Sequence, residues 1–210
     1  MSLYQRWVLP RLLDFAMNNA DMEHVRRQVV PRAKGVTLEL GIGSGLNLAF
    51  YSSEVTRVVG VDPSPELHEM ARRRAERASR PVELLLQSAE QRLPLADASV
   101  DTVVVTWSLC SIPDPVRALE QARRVLRPGG DLLFVEHGRA PAPRVSVWQD
   151  RLNPLWKRIA GGCNMNRAMD ALIRSAGFEI EELSHPELSG PKVLTYLYLG
   201  RARALSAPAP

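Results

Sequence analysis

A short apolar strand pattern, GVTLEL at 35–40, runs straight into Gly41-Ile42-Gly43-Ser44-Gly45, and an acid, Asp62, ends the next strand pattern. No other feature constrains the chain as tightly, because strand patterns then alternate with helix patterns to the C-terminus. TRVVGVD (56–62) is the second strand pattern, followed by a helix over 65–80 with Leu67, Met70, Ala71, Ala75 and Ala78 on one side. VELLLQ (82–87) and SVDTVVVTW (99–107) are strands three and four, the valine run dense enough for burial on both faces. A helix over 115–126 stops at Arg127-Pro128-Gly129-Gly130, and DLLFVEH (131–137) is strand five. Residues 145–160 and 166–176 carry helical patterns, and GFEIEELS (177–184) and VLTYLYLG (193–200) are strands six and seven. Such alternation predicts an α/β fold, a doubly wound parallel sheet with helices on both faces. Right-handed crossovers fix most of its topology.

The first 33 residues read as helical. Leu9, Leu12, Leu13 and Ala16 fall at helical spacing, Pro10 starts or kinks a turn, and Asp21 is the expected N-cap of a second helix ending near Pro31. Leu46–Tyr51 reads as a short helix. The chain is expected to form one domain over 1–210, with a helical lid at 1–34 and a helical insertion at 140–176. Glu69–Arg73 and Glu76–Arg80 form i,i+4 pairs on the wet side of their helix, and the tail from Arg201 is expected to fray.

Composition narrows the function classes. The net charge is 27 − 23 = +4, and 24 of the 27 basic residues are arginine. No aromatic residues interleave the Arg72-Arg73-Arg74 run, so it reads as a solvated helix face and no nucleic-acid partner is expected. Two cysteines, Cys110 and Cys163, give neither a metal pattern nor a disulfide framework. The N-terminus lacks a signal-peptide pattern, and no window reaches the ~18 apolar residues of a membrane span. The expectation is a cytoplasmic protein with free thiols, no metal and no integral membrane association.

In a doubly wound sheet, ligands sit beyond the carboxyl ends of the strands. Glycines there let the backbone approach a ligand closely. Asp62 lies 62 − 41 = 21 positions beyond the first glycine, where a carboxylate accepts both hydroxyl protons of a ribose. NAD and S-adenosylmethionine both carry that ribose, so Asp62 does not choose between them. The glycines discriminate better. A dinucleotide fingerprint reads G-x-G-x-x-G, whereas Leu46 here stands where its third glycine would be. A sulfonium cofactor has no phosphate to seat.

With these residues in view, the sequence resembles the class I S-adenosylmethionine-dependent methyltransferases over about residues 35–200. ELGIGSG is similar to the family's first motif, GVDPS to its ribose acid, SAEQRLPLADASVD to its adenine segment, and RRVLRPGG to the turn before strand five. The resemblance implies a Rossmann-like seven-stranded sheet, order 3-2-1-4-5-7-6, with the last strand antiparallel. WSLCSIPD, VEHGRA, PLWK and GCNMNR, followed by His185, resemble more narrowly the branch of alkyl thiol S-methyltransferases and their bacterial relatives. That branch implies a small lipophilic acceptor, most of all a thiol. The alternatives are a phospholipid amine, a phenol or a quinone ring, a non-catalytic cofactor-binding scaffold, and an NAD-dependent oxidoreductase.

The resemblance also implies residue roles. Gly41, Gly43 and Gly45 pack against the methionine part of the cofactor, and Glu39 orders the loop and reaches the amino group. Asp62 takes the ribose, Ser88, Ala89 and Glu90 lie at the adenine, and Thr106 ends strand four beside the sulfonium. Ser88 stands where many members carry Asp. Tyr4 and Arg11 belong to the lid. An apolar acceptor pocket is expected from Trp107, Trp148 and Trp156, with Arg167 for an anionic head group and Asn164 as a helix cap. His137, after Glu136 at the end of strand five, is a candidate general base, polar anchor or structural histidine. His185 is a second such candidate, and His24 and His68 read as solvated. A single-displacement transferase needs no cysteine nucleophile.

Overall fold

The computed structural model describes Tyr4 and residues 8–205. The remainder of the tail, 206–210, and the rest of the first seven residues lie outside the described residues. Seven strands form one sheet in the order β3-β2-β1-β4-β5-β7-β6. They are β1 Gly35–Leu40, β2 Val55–Asp62, β3 Val82–Leu86, β4 Val100–Thr106, β5 Leu126–His137, β6 Phe178–Ser184 and β7 Leu197–Ala204. β1 to β5 run parallel, and β7 enters antiparallel between β5 and β6. The α/β fold and strand order expected from the resemblance are those observed.

Six α-helices accompany the strands among the described residues: α1 Leu9–Met17, α2 Ala20–Val29, α3 Pro65–Ala75, α4 Pro115–Val125, α5 Pro143–Ile159 and α6 Met169–Ser175. Strand side chains alternate faces, so neighbouring valines serve opposite cores. Val103 and Val105 pack with Leu119 and Ala122 of α4 and Ile173 of α6. Val104 packs on the other face with Val25 and Val29 of α2. All three valines are fully buried, as the run predicts for a central parallel strand.

Several local expectations are corrected. Asn19, not Asp21, caps α2: its side chain accepts from Met22 N at 3.1 Å, while Asp21 falls in the first turn. α3 ends at Ala75, short of Pro81, which disfavours helix at its neighbour. Glu76 therefore pairs with Arg72 at 2.6 Å, and Arg80 turns to the Ser52 carbonyl. Leu46–Ala49 is a single 3-10 turn. The Arg127–Gly130 turn belongs to the β5 ladder, whose register shifts opposite Val100 and Thr102. β7 lies four residues later than expected and includes the start of the tail. Arg201-Ala202-Arg203-Ala204 has strand period, with Ala202 buried and both arginines bonded to Asp131.

The register aligns the strand ends that matter. Leu40 pairs with Val61 and Val105, and Thr106 pairs with Val135. The glycine loop, Asp62, Trp107 and Glu136-His137 thus share the carboxyl edge of the sheet.

Candidate functional site

Three glycines make the loop after β1 possible. Gly41, Gly43 and Gly45 have φ of +70°, +55° and +82°, a region that disfavours side chains. A Cβ on Gly41 would meet Ser108 Oγ at 2.2 Å, so there the loop is packed against its neighbour. A Cβ on Gly43 would find nothing closer than the Gly41 carbonyl at 4.0 Å, so there the backbone faces open space.

Glu39 supports this loop from beneath. Its carboxylate accepts from Asn47 Nδ2 at 2.8 Å and from the Tyr51 hydroxyl at 2.7 Å. Asn47 also donates to Thr106 Oγ1 at 2.9 Å and accepts from Arg26 Nε at 3.0 Å. Glu39 is 1% exposed, so its carboxylate braces the loop and does not open toward a ligand's amino group. Thr106 is likewise committed to the network. Arg26, Asn47 and Tyr51 were not singled out from the sequence. Their only signal was that a buried Glu39 needs partners.

Burial raises the Glu39 carboxyl to about 7, against hydrogen bonds from Tyr51 and Asn47 that lower it. Burial depresses the Arg26 guanidinium to about 10. The raised Glu39 value has a sign. The folded chain holds this proton more tightly than the unfolded chain, whose carboxyl titrates near 4.5. The associated stability is complete below that value and is lost as pH rises through about 7. Denaturant unfolding of the ligand-free protein is expected to give stability that falls between pH ~5 and ~8, and Glu39→Gln is expected to flatten part of that slope. An unchanged slope in the variant would contradict the assignment.

Asp62 sits at the end of β2, 8% exposed. Its Oδ2 accepts from Gly43 N at 3.0 Å and its Oδ1 from Ser64 N at 2.8 Å. Each oxygen keeps a lone pair for a further donor. Burial raises its pKa, and those two N–H groups and the His68 charge lower it. His68 is half-buried with Nε2 enclosed, not solvated as expected.

Ser88 donates to Glu90 at 2.7 Å, and Glu90 accepts from Asp114 N at 2.6 Å. Ser88, Glu90, Gln91, Asp114 and Arg117 line a cleft of about 270 Å³. Ala89 is buried beside it.

At the β4–β5 edge, Glu136 gathers three backbone donors. It accepts from Ser108 N at 2.8 Å, Leu109 N at 2.9 Å and Cys110 N at 3.2 Å. Burial raises this carboxyl to about 7, against those same bonds. Trp107 enters the loop at φ +49°. Arg167 braces it from outside, donating to the Leu109, Ile112 and Pro113 carbonyls. Arg167 is thus a strut for this loop, which corrects its expected role toward an acceptor's anion.

His137 is 7% exposed, with Nε2 enclosed and without a hydrogen-bond partner among the described residues. Its Nδ1 lies 3.6 Å from Cys163 Sγ. The half-buried Trp156, whose Nε1 is also enclosed, acts on the same Cys163 thiol. The expected convergence of three tryptophans is not found. Trp148 is 53% exposed on the outer side of α5 under Arg151, and Trp107 stacks beneath Arg26 at 4.9 Å. Helical spacing located α5 but not the face that it buries. Tyr4 donates to the Ile159 carbonyl at 3.0 Å, and Arg11 is exposed on α1. Asn164 is no helix cap: it bonds the Cys110 carbonyl, five residues before α6 begins. His185 stacks on Tyr196 and bonds the Leu197 carbonyl at 2.9 Å, a structural histidine. Arg74 leaves the solvated face to bridge Asp14 and the Ser44 carbonyl.

The methyltransferase-domain family model matches residues 38–134. Human thiol S-methyltransferase TMT1A is 35% identical over 173 residues, 80% of this chain and 70% of that protein. The chain belongs to the S-adenosylmethionine-dependent methyltransferase family. Human thiol S-methyltransferase TMT1B is 37% identical over 161 residues, 71% of this chain and 66% of that protein, so the match spans just under two thirds of that relative. A chain from the complex of a Haloferax volcanii methyltransferase with the Trm112 methyltransferase activator shares the fold, with TM-score 0.72 at 19% identity over 98% of this chain and 99% of its own.

S-adenosylmethionine is the methyl donor of this family. The residues present fit it: Gly43 faces open space, Asp62 holds lone pairs for ribose hydroxyls, and the Ser88–Glu90 cleft begins two residues after Leu86, which pairs with Asp62. Asp62→Ala is expected to weaken S-adenosylhomocysteine binding in calorimetry by about 1–3 kcal/mol. NAD is expected not to bind either protein, and equal affinity for NAD would overturn this account of the loop.

Proposed function

We propose that this methyltransferase acts on the sulfur of small lipophilic thiols. The observation that carries the reading is His137, enclosed at the end of β5 with Nε2 unpartnered among the described residues and Nδ1 facing Cys163. A buried polar atom without a partner is rare and marks a place where a ligand completes the hydrogen bonding. The names of the human relatives support sulfur as the acceptor atom. We also read residues 1–210 as one methyltransferase domain, with 1–34 as its lid.

When bound, S-adenosylmethionine supplies a methyl group on a sulfonium, open to in-line attack by a lone pair. The chain's residues do the rest. Asp62 holds the ribose hydroxyls, and the glycine backbone admits the donor closely. Glu39 and Asn47 keep that backbone rigid. His137 Nε2 takes the acceptor's proton. Nδ1 of the imidazole is engaged with Cys163 Sγ, so Nε2 is the ring nitrogen left for the acceptor. Trp156 and the buried floor exclude water, which favours a reaction in which opposite charges vanish. A thiol, with a reference pKa of ~8.5, needs little help to ionise, and a phenol needs more.

The test is an acceptor panel of matched thiols, phenols and amines, assayed by S-adenosylhomocysteine release. Thiols are expected to turn over fastest at neutral pH, at a rate that rises toward the acceptor's own pKa. Turnover of phenols or phospholipid amines alone would overturn the reading.

A further inference from the structure

Two thiols meet beside His137. Cys110 lies in the loop between β4 and α4, and Cys163 lies between α5 and α6. Asn164 ties their backbones together. Its N–H donates to the Cys110 carbonyl at 2.8 Å and its Nδ2 donates to the same oxygen at 3.0 Å. The Cys110 thiol donates to the Trp107 carbonyl at 3.5 Å and lies 3.5 Å from Ser111 Oγ, and each thiol acts on the ionisation of the other. They are unequal. Cys110 is 2% exposed and Cys163 is half-buried, so one residue is sealed in the core and the other is partly open.

The charges around the pair sharpen the difference. Cys163 is drawn down, first by the Cys110 thiol and then by His137 and Trp156, against burial. Cys110 is pushed well up, first by Cys163 and then by burial and by Glu136. Arg167 adds positive charge toward both sulfurs. The titratable and charged groups facing the pair are Glu136 and His137 of β5 and Arg167 ahead of α6. An outward thiolate backed by a buried protonated thiol is the arrangement of a nucleophile and a resolving cysteine.

We propose that Cys163 and Cys110 form a thiol–disulfide exchange site for small lipophilic disulfides. The Cys163 thiolate attacks one sulfur of RSSR. A Cys163–SR bond forms, the S–S bond of the ligand breaks, and RS⁻ leaves with the electron pair. Cys110 then gives its proton to that thiolate and attacks Cys163 Sγ, which expels the second RS⁻; a solvent proton completes it. The ligand is reduced to two RSH, and the two cysteines are oxidised to one disulfide. The site stands on the geometry of the two thiols, whichever atom the enzyme methylates.

The probe is 4,4′-dithiodipyridine with the full chain near pH ~6, where an ordinary thiol is mostly protonated. Released thiopyridone is followed by absorbance and the product by intact mass. The wild-type chain is expected to release two equivalents, retain no adduct and lose two hydrogens. Cys110→Ser is expected to release one equivalent and keep a stable adduct. Cys163→Ser is expected to react at least about tenfold more slowly. Two retained adducts on the wild-type chain, or Cys163→Ser reacting as fast as wild type, would overturn the proposal.

Discussion

Glu136→Ala is expected to cost the protein roughly 3 kcal/mol or more. The substitution leaves the N–H groups of Ser108, Leu109 and Cys110 without their acceptor, and each unsatisfied buried donor costs about 1–3 kcal/mol. Glu136 is fully buried, so the lost side chain also leaves a cavity. Glu136→Gln keeps an oxygen for some of these donors and is expected to cost less than half as much. Denaturant unfolding of both variants measures the difference. Equal, small losses in the two would show that the loop holds its shape without the carboxylate. The loop carries Trp107 at one end and rests on Arg167 at the other, so its loosening is also expected to lower turnover.

His137→Ala is expected to lower turnover by roughly 10²-fold while leaving S-adenosylhomocysteine affinity nearly unchanged. The imidazole lies at the β5 end, and Asp62 and the glycine loop hold the donor without it. The loss is expected to shrink for acceptors of low pKa, which arrive already ionised and need no base. Turnover of the variant against thiols of graded pKa reads this directly. A loss independent of acceptor pKa, with a lowered melting temperature, would make His137 structural and leave alignment and desolvation as the sources of rate.

What the sequence made legible was local. The glycine loop, Asp62 and the valine run of β4 declare themselves within a few residues, because φ restrictions and strand period act over that range. The site's supports were not legible, because they act between distant segments. Glu136 meets backbone donors on another loop, Arg26 reaches Asn47 through the sheet edge, and Cys163 finds Cys110 through Asn164. None of these pairs leaves a periodic mark. Periodicity also gave α5 without its orientation, and so Trp148 was expected inward and lies outward. At β7, the alternation of Arg201 to Ala204 was a strand signal in an arginine-rich chain, overlooked because charged residues suggest a tail.

Methyl transfer from S-adenosylmethionine to sulfur requires the enzyme to choose a thiol over a phenol. An acceptor bearing both groups on one ring, 4-mercaptophenol, tests it most directly. Incubated with trideuteromethyl S-adenosylmethionine, it is expected to yield the labelled thioether with the hydroxyl free, identified by mass spectrometry and proton NMR of the product. Label on the oxygen, with the thiol free, would contradict the account.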